Sequence, residues 1–200
     1  MKRCQWVTDD PLYIEYHDTQ WGVPLHDERE LFEMLILEGA QAGLSWITVL
    51  KKRENYRKLF HNFEIDKVAA MTDAELEKIL KDASIIRNKL KVFATRKNAI
   101  AGLKLIEELG SLDKYFWDWV DGKPIDNAFK KHEDIPASTP LSEKISKDLK
   151  KRGFTFVGPT IIYAYMQSIG MVNDHTTDCF RYEECQGKSL PLRKNLPSGV

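Results

Sequence analysis

Two predicted helices meet at a tight turn in the sequence Leu149-Lys150-Lys151-Arg152-Gly153-Phe154-Thr155-Phe156-Val157-Gly158-Pro159-Thr160-Ile161. The first is predicted over about residues 139–152, with Thr139 as N-cap and Pro140 in its first turn. The second begins at Gly158-Pro159 and extends to about residue 170. The residues between the two glycines are too few for an independent strand, so the pattern is helix, hairpin, helix.

The turn has the composition of a phosphate-binding site. The first turn of the second helix has free backbone N–H groups, and the end of the first helix is basic. Both features suit phosphate oxygens of a nucleic-acid backbone. An ordinary corner between two helices with a solvated basic end is the alternative. The pattern resembles the helix-hairpin-helix element of DNA-repair proteins, which binds one DNA strand through its backbone.

A single carboxylate stands out in the sequence Leu37-Glu38-Gly39-Ala40-Gln41-Ala42-Gly43-Leu44-Ser45-Trp46. Glu38 lies near the end of an apolar helix whose start, Asp27 followed by Glu30, is typical of a capping box. The helical repeat places it on the face of Leu31 and its apolar neighbours. Such a carboxylate must be paired, protonated or used in chemistry. The alternative is a frayed helix end with Glu38 turned to water.

Two cysteines and two histidines form a possible metal site. His175 and Cys179 are four residues apart, so one helical turn would direct both to one ion. Cys4 and His17 would complete the tetrahedral ligand set of a structural zinc ion and join the two ends of the chain. The spacing of Cys4 and His17 fits no standard zinc finger, and Cys185 could replace Cys179 as a ligand.

Composition limits the classes of protein that the chain can belong to. Its 200 residues are 42% hydrophobic and 30% charged with no net charge, which is typical of a globular protein and does not point to nucleic acid. Three cysteines are too few for a disulfide framework. No apolar run is long enough for a membrane span or a signal peptide, so a cytoplasmic location and no membrane partner are expected.

Helical patterns dominate the chain and no strand pattern of useful length occurs, so we predict an all-α fold. Residues 1–26 show no helical period and indicate an ordered loop or a few short helices. The tail from about residue 186 has a disordered composition. Besides the helices of the hairpin, the predicted helices cover about 27–38, 44–60, 72–81, 85–109 and 112–120.

Several motifs together resemble one family, 3-methyladenine DNA glycosylase I, of the helix-hairpin-helix DNA glycosylase superfamily. The match covers about residues 3–180 in order, and it is weakest over about 110–135 and after 180. Besides the two sequences quoted above, it rests on Cys4-x-Trp6, Asp10-Pro11-Leu12-Tyr13, Tyr16-His17-Asp18, Gln20-Trp21-Gly22-Val23-Pro24, Leu50-Lys51-Lys52-Arg53-Glu54-Asn55-Tyr56 and Val172-Asn173-Asp174-His175 with Cys179.

The resemblance implies a fold and a set of residue roles. The fold would be one helical domain over residues 1–185, two lobes around a cleft, with the hairpin at about 141–169 and a structural zinc site joining both ends. Cys4, His17, His175 and Cys179 would bind the zinc. Glu38 would be the catalytic carboxylate of the base pocket. The aromatic residues of that pocket would be Tyr16, Trp46, Trp6, Tyr13 and Trp21. DNA would be contacted by Gln41, Gly43, Leu44, Lys150, Lys151, Arg152, Gly153 and Gly158.

The implied activity is base-excision repair of alkylated double-stranded DNA by a monomeric enzyme. The enzyme would flip out 3-methyladenine and release it by hydrolysis, leaving an abasic site. Lyase-type relatives have a lysine where Thr160 stands here, so no strand cleavage is expected. Many relatives have an aspartate where Asn173 stands, which leaves the stabiliser of the sugar cation unassigned.

Two other functions would use parts of the same sequence. A non-catalytic helix-hairpin-helix module would bind DNA through the hairpin alone and would not need a carboxylate among aromatic side chains. A zinc-dependent hydrolase fails because four protein ligands leave no open position for water.

Overall fold

The computed structural model describes residues 1–186, and these form the predicted all-α fold. The predicted tail from about residue 186 lies almost entirely outside the described residues. The helices, α1 to α11 in chain order, are Pro11–Thr19, Glu28–Gln41, Trp46–Leu50, Arg53–Leu59, Ile65–Ala69, Asp73–Ile79, Lys89–Leu109, Leu112–Asp118, Pro140–Lys151, Pro159–Ser168 and Arg181–Glu184. Short 3₁₀ turns lie at His61–Phe63 and His132–Asp134.

Local signals placed several helix ends correctly. Asp27 caps α2 by accepting a hydrogen bond from the Glu30 N–H, as the sequence predicts. Thr72 and Glu75 form the expected capping box of α6. Thr139 caps α9, with Pro140 in the first turn.

Two helix predictions were wrong in their extent. The helix predicted over 44–60 is two helices, because the chain turns at Lys51 and Lys52 and directs Arg53 inward, where it is almost fully buried. The helix predicted from residue 85 begins only at Lys89, since Asn88 acts as its N-cap and accepts a hydrogen bond from the Lys91 N–H. The short helix α5 has no counterpart among the predicted helices.

Helix α2 lies at the centre of the molecule. Every residue from Glu30 to Ala40 is buried, three glutamates among them. Helices α3, α7, α8 and α10 pack around it. A carboxylate on this helix therefore cannot rely on water for solvation.

A parallel pair of two-residue strands links the middle of the chain to its end. Strand β1 is Ile125–Asp126 and strand β2 is Val172–Asn173. At the other end of the chain, the Phe180 N–H donates to the Lys2 carbonyl at 3.0 Å, so the N-terminal segment lies against the C-terminal one. None of the described helices is long and apolar enough to cross a membrane.

Glu33, in the middle of α2, is fully buried and is paired with arginines. Arg53 and Arg57 of α4 and Arg29 of α2 itself all contact its carboxylate. Burial alone would raise the pKa of Glu33, but the charges of Arg53 and Arg57 lower it to about 2. Arg53 also donates to the Gln20 side chain at 2.7 Å, so the network joins α2, α4 and the segment after α1.

We expect Glu33→Gln to lower the free energy of unfolding by about 3–5 kcal/mol, because it leaves buried arginines without their anion. Since the folded pKa of Glu33 is lowered, its stabilisation is present above the unfolded pKa and is lost as the pH falls toward about 2. Urea unfolding at neutral and acidic pH measures both effects. Glu15→Gln, which changes an exposed glutamate of α1, is the control and should have almost no effect.

Candidate functional site

A cavity of about 320 Å³ lies between the N-terminal part of the chain and α10. Its first wall is aromatic and is built from α1, its flanking loops and the start of α3. The side chains of this wall are Trp6, Tyr13, Tyr16, Trp21 and Trp46. The structure thus brings together around one cavity all five aromatic residues that the resemblance implied, and Glu38 lies among them.

The aromatic side chains support one another through ring contacts. Trp6 lies with its ring centroid 4.9 Å from that of Tyr13 and 5.0 Å from that of Trp21. Tyr16 and Trp46 are 5.4 Å apart and almost fully buried. The indole N–H groups of Trp6 and Trp46 are buried and have no acceptor within residues 1–186. Buried donors without an acceptor are uncommon in protein cores, and both of these belong to residues that line the cavity.

Glu38 lies in the last turn of α2, on the apolar face that the helical repeat predicts. Its side chain is 4% exposed, which excludes the frayed, water-facing alternative. Burial raises the pKa of Glu38 to about 8, although the neighbouring Ser168 hydroxyl favours the ionised form. No lysine or arginine of the described chain forms an ion pair with Glu38. Burial without a neighbouring cation thus favours the protonated form of this carboxyl.

The link between α2 and α3 is the exposed rim of the cavity. Gly43 has a φ of +79°, a conformation that other residues rarely adopt, and a Cβ there would contact nothing. Leu44 is 41% exposed although it is large and apolar. Gln41 lines the cavity itself. The rim thus presents one polar and one apolar side chain beside the cavity mouth.

The hairpin between α9 and α10 is closed by a Schellman motif. The Gly153 N–H donates to the Lys150 carbonyl and the Phe154 N–H to the Leu149 carbonyl, both at 3.0 Å. Gly153 has a φ of +95°, which explains the glycine.

The charges beside the hairpin are not all equally available. Lys150 and Lys151 are exposed. Arg152 is bound instead to Asp148 and Glu108, at 2.7 and 2.8 Å. Of the three basic residues predicted to contact DNA, Lys150 and Lys151 therefore have charges that are open to solvent. Arg152 instead stabilises the hairpin through its ion pairs.

The second wall of the cavity was not predicted. Thr160, Tyr163, Ala164 and Gln167 recur along one face of α10, and residues 132–137 complete the wall with His132, Ile135, Pro136 and Ala137. The spacing on α10 was visible in the sequence, but it is equally typical of a helix face in an ordinary core. No lysine among residues 1–186 lines the cavity.

A buried carboxylate lies behind this second wall. Asp174 is 1% exposed and accepts hydrogen bonds from Tyr163 at 2.6 Å, Gln167 at 2.8 Å and Asn127 at 2.7 Å. Burial and the charge of Asp174 raise the pKa of Tyr163. The neighbouring Asn173 donates to the Tyr182 carbonyl and does not line the cavity. Asp174, and not residue 173, is thus the carboxylate connected to the cavity wall.

The four predicted metal ligands form one buried cluster. The ligand atoms of Cys4, His17, His175 and Cys179 all lie within 4.8 Å of one another. Three nitrogen–sulfur separations are 3.4, 3.5 and 3.6 Å. Tetrahedral zinc with bonds of about 2.0–2.3 Å would place nitrogen and sulfur ligands about 3.6 Å apart. The cluster could hold one metal ion, and Cys185 lies outside it.

The histidines of the cluster are oriented by further hydrogen bonds. His17 Nδ1 lies 2.7 Å from a carboxylate oxygen of Asp18, and Arg3 holds Asp18 with two nitrogens. His175 Nε2 lies 3.0 Å from the Trp21 carbonyl. Gly22 is required here, because a Cβ would come within 2.8 Å of the His175 ring. Such outer contacts are typical of metal-binding histidines.

Comparisons with known proteins point in the same direction as the geometry. The family model described as methyladenine glycosylase matches residues 6–182. DNA-3-methyladenine glycosylase 1 of Escherichia coli (strain K12) is 51% identical over 182 residues, covering 91% of this chain and 97% of that protein. A crystal structure of 3-methyladenine DNA glycosylase I superimposes with a TM-score of 0.87 at 53% identity, covering 90% of this chain and 98% of the other. A Staphylococcus aureus structure that describes 3-methyladenine recognition gives 0.87 at 38% identity, covering 90% and 95%.

We expect Glu38→Gln to become more stable than the unmodified protein as the pH rises. The folded pKa of Glu38 is raised, so its contribution to stability is fully present below the unfolded pKa and is lost as the pH rises toward about 8. The difference between the two proteins should grow by about 1.4 kcal/mol per pH unit across that interval. Urea unfolding of both proteins at a series of pH values measures it. A difference that is constant with pH would show that Glu38 ionises normally.

Proposed function

The chain belongs to the methyladenine glycosylase family, and from this premise we propose that it is a DNA-3-methyladenine glycosylase of base-excision repair. It would release 3-methyladenine from alkylated double-stranded DNA by hydrolysis and leave an abasic site. The observation that carries the proposal is the buried Glu38 carboxyl, without a cation of its own, in an aromatic cavity beside an exposed link. A helix-hairpin-helix module that only binds DNA would not need this cavity.

The chemistry of the cavity fits a cationic base. Methylation at N3 makes adenine cationic in DNA, and aromatic faces attract cations. Once such a base enters, it supplies the positive charge that Glu38 lacks, and the carboxyl then ionises and accepts from the exocyclic amine. Neutral adenine would meet a protonated carboxyl and gain no ion pair. The proposed selectivity therefore depends on charge that only the damaged base brings.

The rim and the hairpin suit the extrusion of that base. Extrusion costs a few kcal/mol, and it costs least where pairing is already weakened. Gln41 and Leu44 would fill the space left in the duplex, with Gly43 allowing the bend. Lys150, Lys151 and the backbone N–H groups near Gly153 and Gly158 would bind the phosphates. Arg152 would not bind a phosphate itself. Its ion pairs with Asp148 and Glu108 would instead hold the hairpin in its conformation.

The second wall fits a glycosylase without lyase activity. Schiff-base chemistry needs an amine nucleophile, and no lysine of the described chain lines the cavity. A strand bound by the hairpin would have its sugar near the start of α10, next to Thr160. Release of the base would then be hydrolytic, and the strand would stay intact.

We further propose that the cysteine–histidine cluster binds one zinc ion with a structural role. Two thiolates and two imidazoles at tetrahedral separations are a preferred ligand set of zinc. When bound, the ion would tie residues 4–17 to residues 175–179. Because four protein ligands close the coordination shell, the zinc would not activate water.

The remaining features of the proposal concern assembly and location. Residues 1–185 would fold as one domain and act as a monomer, since the cavity, the rim, the hairpin and the cluster all come from one chain. The proposed substrate is genomic DNA, so we propose that the activity lies in the cytoplasm, where the DNA of bacteria such as the relatives above lies.

Excision from alkylated duplex DNA tests the proposed function. We expect the protein to release free 3-methyladenine and to leave intact strands with abasic sites, because no lysine among residues 1–186 lines the cavity. Glu38→Gln should slow excision by about a hundredfold or more, since it removes the anion that the cationic base would pair with. Chromatography of released bases and single-turnover kinetics give both results.

Duplex affinity should stay almost unchanged in Glu38→Gln, because the hairpin is intact. Glu15→Gln should excise as fast as the unmodified protein. Nicked strands in the absence of added base or heat would contradict the prediction, made from Thr160, that the enzyme does not cleave the strand. Normal excision by Glu38→Gln would remove Glu38 from the reaction.

Removal of zinc should destabilise the fold. A loss of about 3 kcal/mol or more on chelation corresponds to a decrease in Tm of about 6–12 °C for a chain of this size. Metal analysis should find one zinc per chain, lost in Cys179→Ser and kept in Cys185→Ser. A protein purified without any metal, or the reverse result for the two cysteines, would refute the assignment.

A further inference from the structure

Lys91, in the first turn of α7, is directed at the end of α2. Its ammonium donates to the main-chain carbonyls of Ala40 and Ala42, at 2.9 and 2.6 Å. The last carbonyls of a helix have no partner within the helix, and a cation there also favours the helix dipole. Lys91 thus fixes the position of link 41–45, which consists of the last residue of α2 and the partly exposed residues 42–45 before α3.

Asn98, seven residues further along α7, binds the hairpin. Its side-chain amide donates to the Thr155 carbonyl at 2.9 Å, and its side-chain oxygen accepts from the Thr155 N–H at 2.8 Å. Asn98 is 3% exposed, so water does not compete for these bonds. Both residues lie on one side of α7, about 10 Å apart along its axis.

The end of α2 and the hairpin, which Lys91 and Asn98 of α7 bind, also contact each other directly. Phe156 of the hairpin packs on Gly39 of α2 so closely that a Cβ at Gly39 would lie 3.2 Å from the Phe156 Cβ. A cavity of only about 10 Å³ remains between α2, α7 and the hairpin. Three contacts therefore fix the link and the hairpin relative to each other. Lys91 holds the end of α2, Asn98 holds the hairpin, and Phe156 packs on Gly39.

We propose that Lys91 and Asn98 are positioning residues that set the separation between link 41–45 and the hairpin, so that the base leaves the duplex while its strand is held. The inference rests on the proposed function. Extrusion needs the filling side chains and the phosphate contacts to act on the same nucleotide step. A displacement of about 1 Å in such an arrangement can cost about a hundredfold in rate.

The geometry distinguishes this role from direct phosphate binding. Two of the three N–H donors of the Lys91 ammonium are used on main-chain carbonyls, and the side chain is half-buried. Lys97, on the same helix, is exposed and has no partner within residues 1–186. The two lysines therefore form a matched pair with the same charge, the same helix and different surroundings.

Lys91→Met and Lys97→Met test the inference. Lys91→Met should slow single-turnover excision from alkylated duplex DNA by about ten- to a hundredfold. Its Kd for free 3-methyladenine should stay within about twofold, because the base cavity is intact. Lys97→Met should match the unmodified protein in both measurements. Lys91→Arg, which can still donate to both carbonyls, should recover most of the duplex activity.

Three results would overturn the inference. The first is a normal rate of excision from duplex DNA in Lys91→Met. The second is a loss of affinity for free 3-methyladenine in Lys91→Met that parallels its loss of excision rate. The third is an equally slow excision in Lys97→Met, which would indicate that only the positive charge matters. Asn98→Asp, which loses the donor to the Thr155 carbonyl, should repeat the pattern of Lys91→Met. If the unmodified protein released no base at all, the proposed function itself would fail, and that outcome is distinct from these.

Discussion

The burial of helix α2 on all sides is the constraint on which the rest of the structure depends. A carboxylate on such a helix needs either a cation or a proton. Glu33 receives arginines, and its pKa is lowered to about 2. Glu38, five residues later, receives no cation, and its pKa is raised to about 8. One helix thus carries an anion held by arginines and a carboxyl whose burial favours the protonated form, and the difference lies only in what surrounds each side chain.

The unfavourable environment of Glu38 is what makes the proposed chemistry selective. A carboxyl that already had an arginine would gain little from a cationic base, because its charge would be satisfied. An exposed carboxyl would pair with the base only weakly, since water screens the charge. Glu38 is neither paired with an arginine nor exposed to water. The aromatic rings around it also attract a cation, and they do so without needing a hydrogen bond from it. The protein would lose stability at this position and gain recognition of the damaged base.

Sequence patterns predicted the features that depend on near neighbours. The caps at Asp27 and Thr139 and the glycine at position 153 follow from local hydrogen bonding, and the structure contains all three. The break at Lys51-Lys52 was missed because it depends on a distant partner, Glu33. The second wall was missed because its spacing on α10 is also that of an ordinary buried face. The helical repeat of α2 predicted that Glu38 lies inside the protein. The aromatic residues of the cavity were predicted only from the family resemblance, because contacts between segments far apart in the chain leave no local pattern in the sequence.

The metal cluster and the base cavity depend on the same N-terminal segment. Cys4 and His17 belong to the cluster, and four of the five aromatic residues of the first wall, all except Trp46, lie between them or just beyond His17 in the chain. His175 contacts the Trp21 carbonyl, so a residue of the cluster contacts the backbone of the wall itself. This segment has one helix of nine residues and little core of its own. A metal ion there would act on the cavity through its first wall, while α9 and α10, which pack on each other, and α10 also on α2, would keep the arrangement of the hairpin.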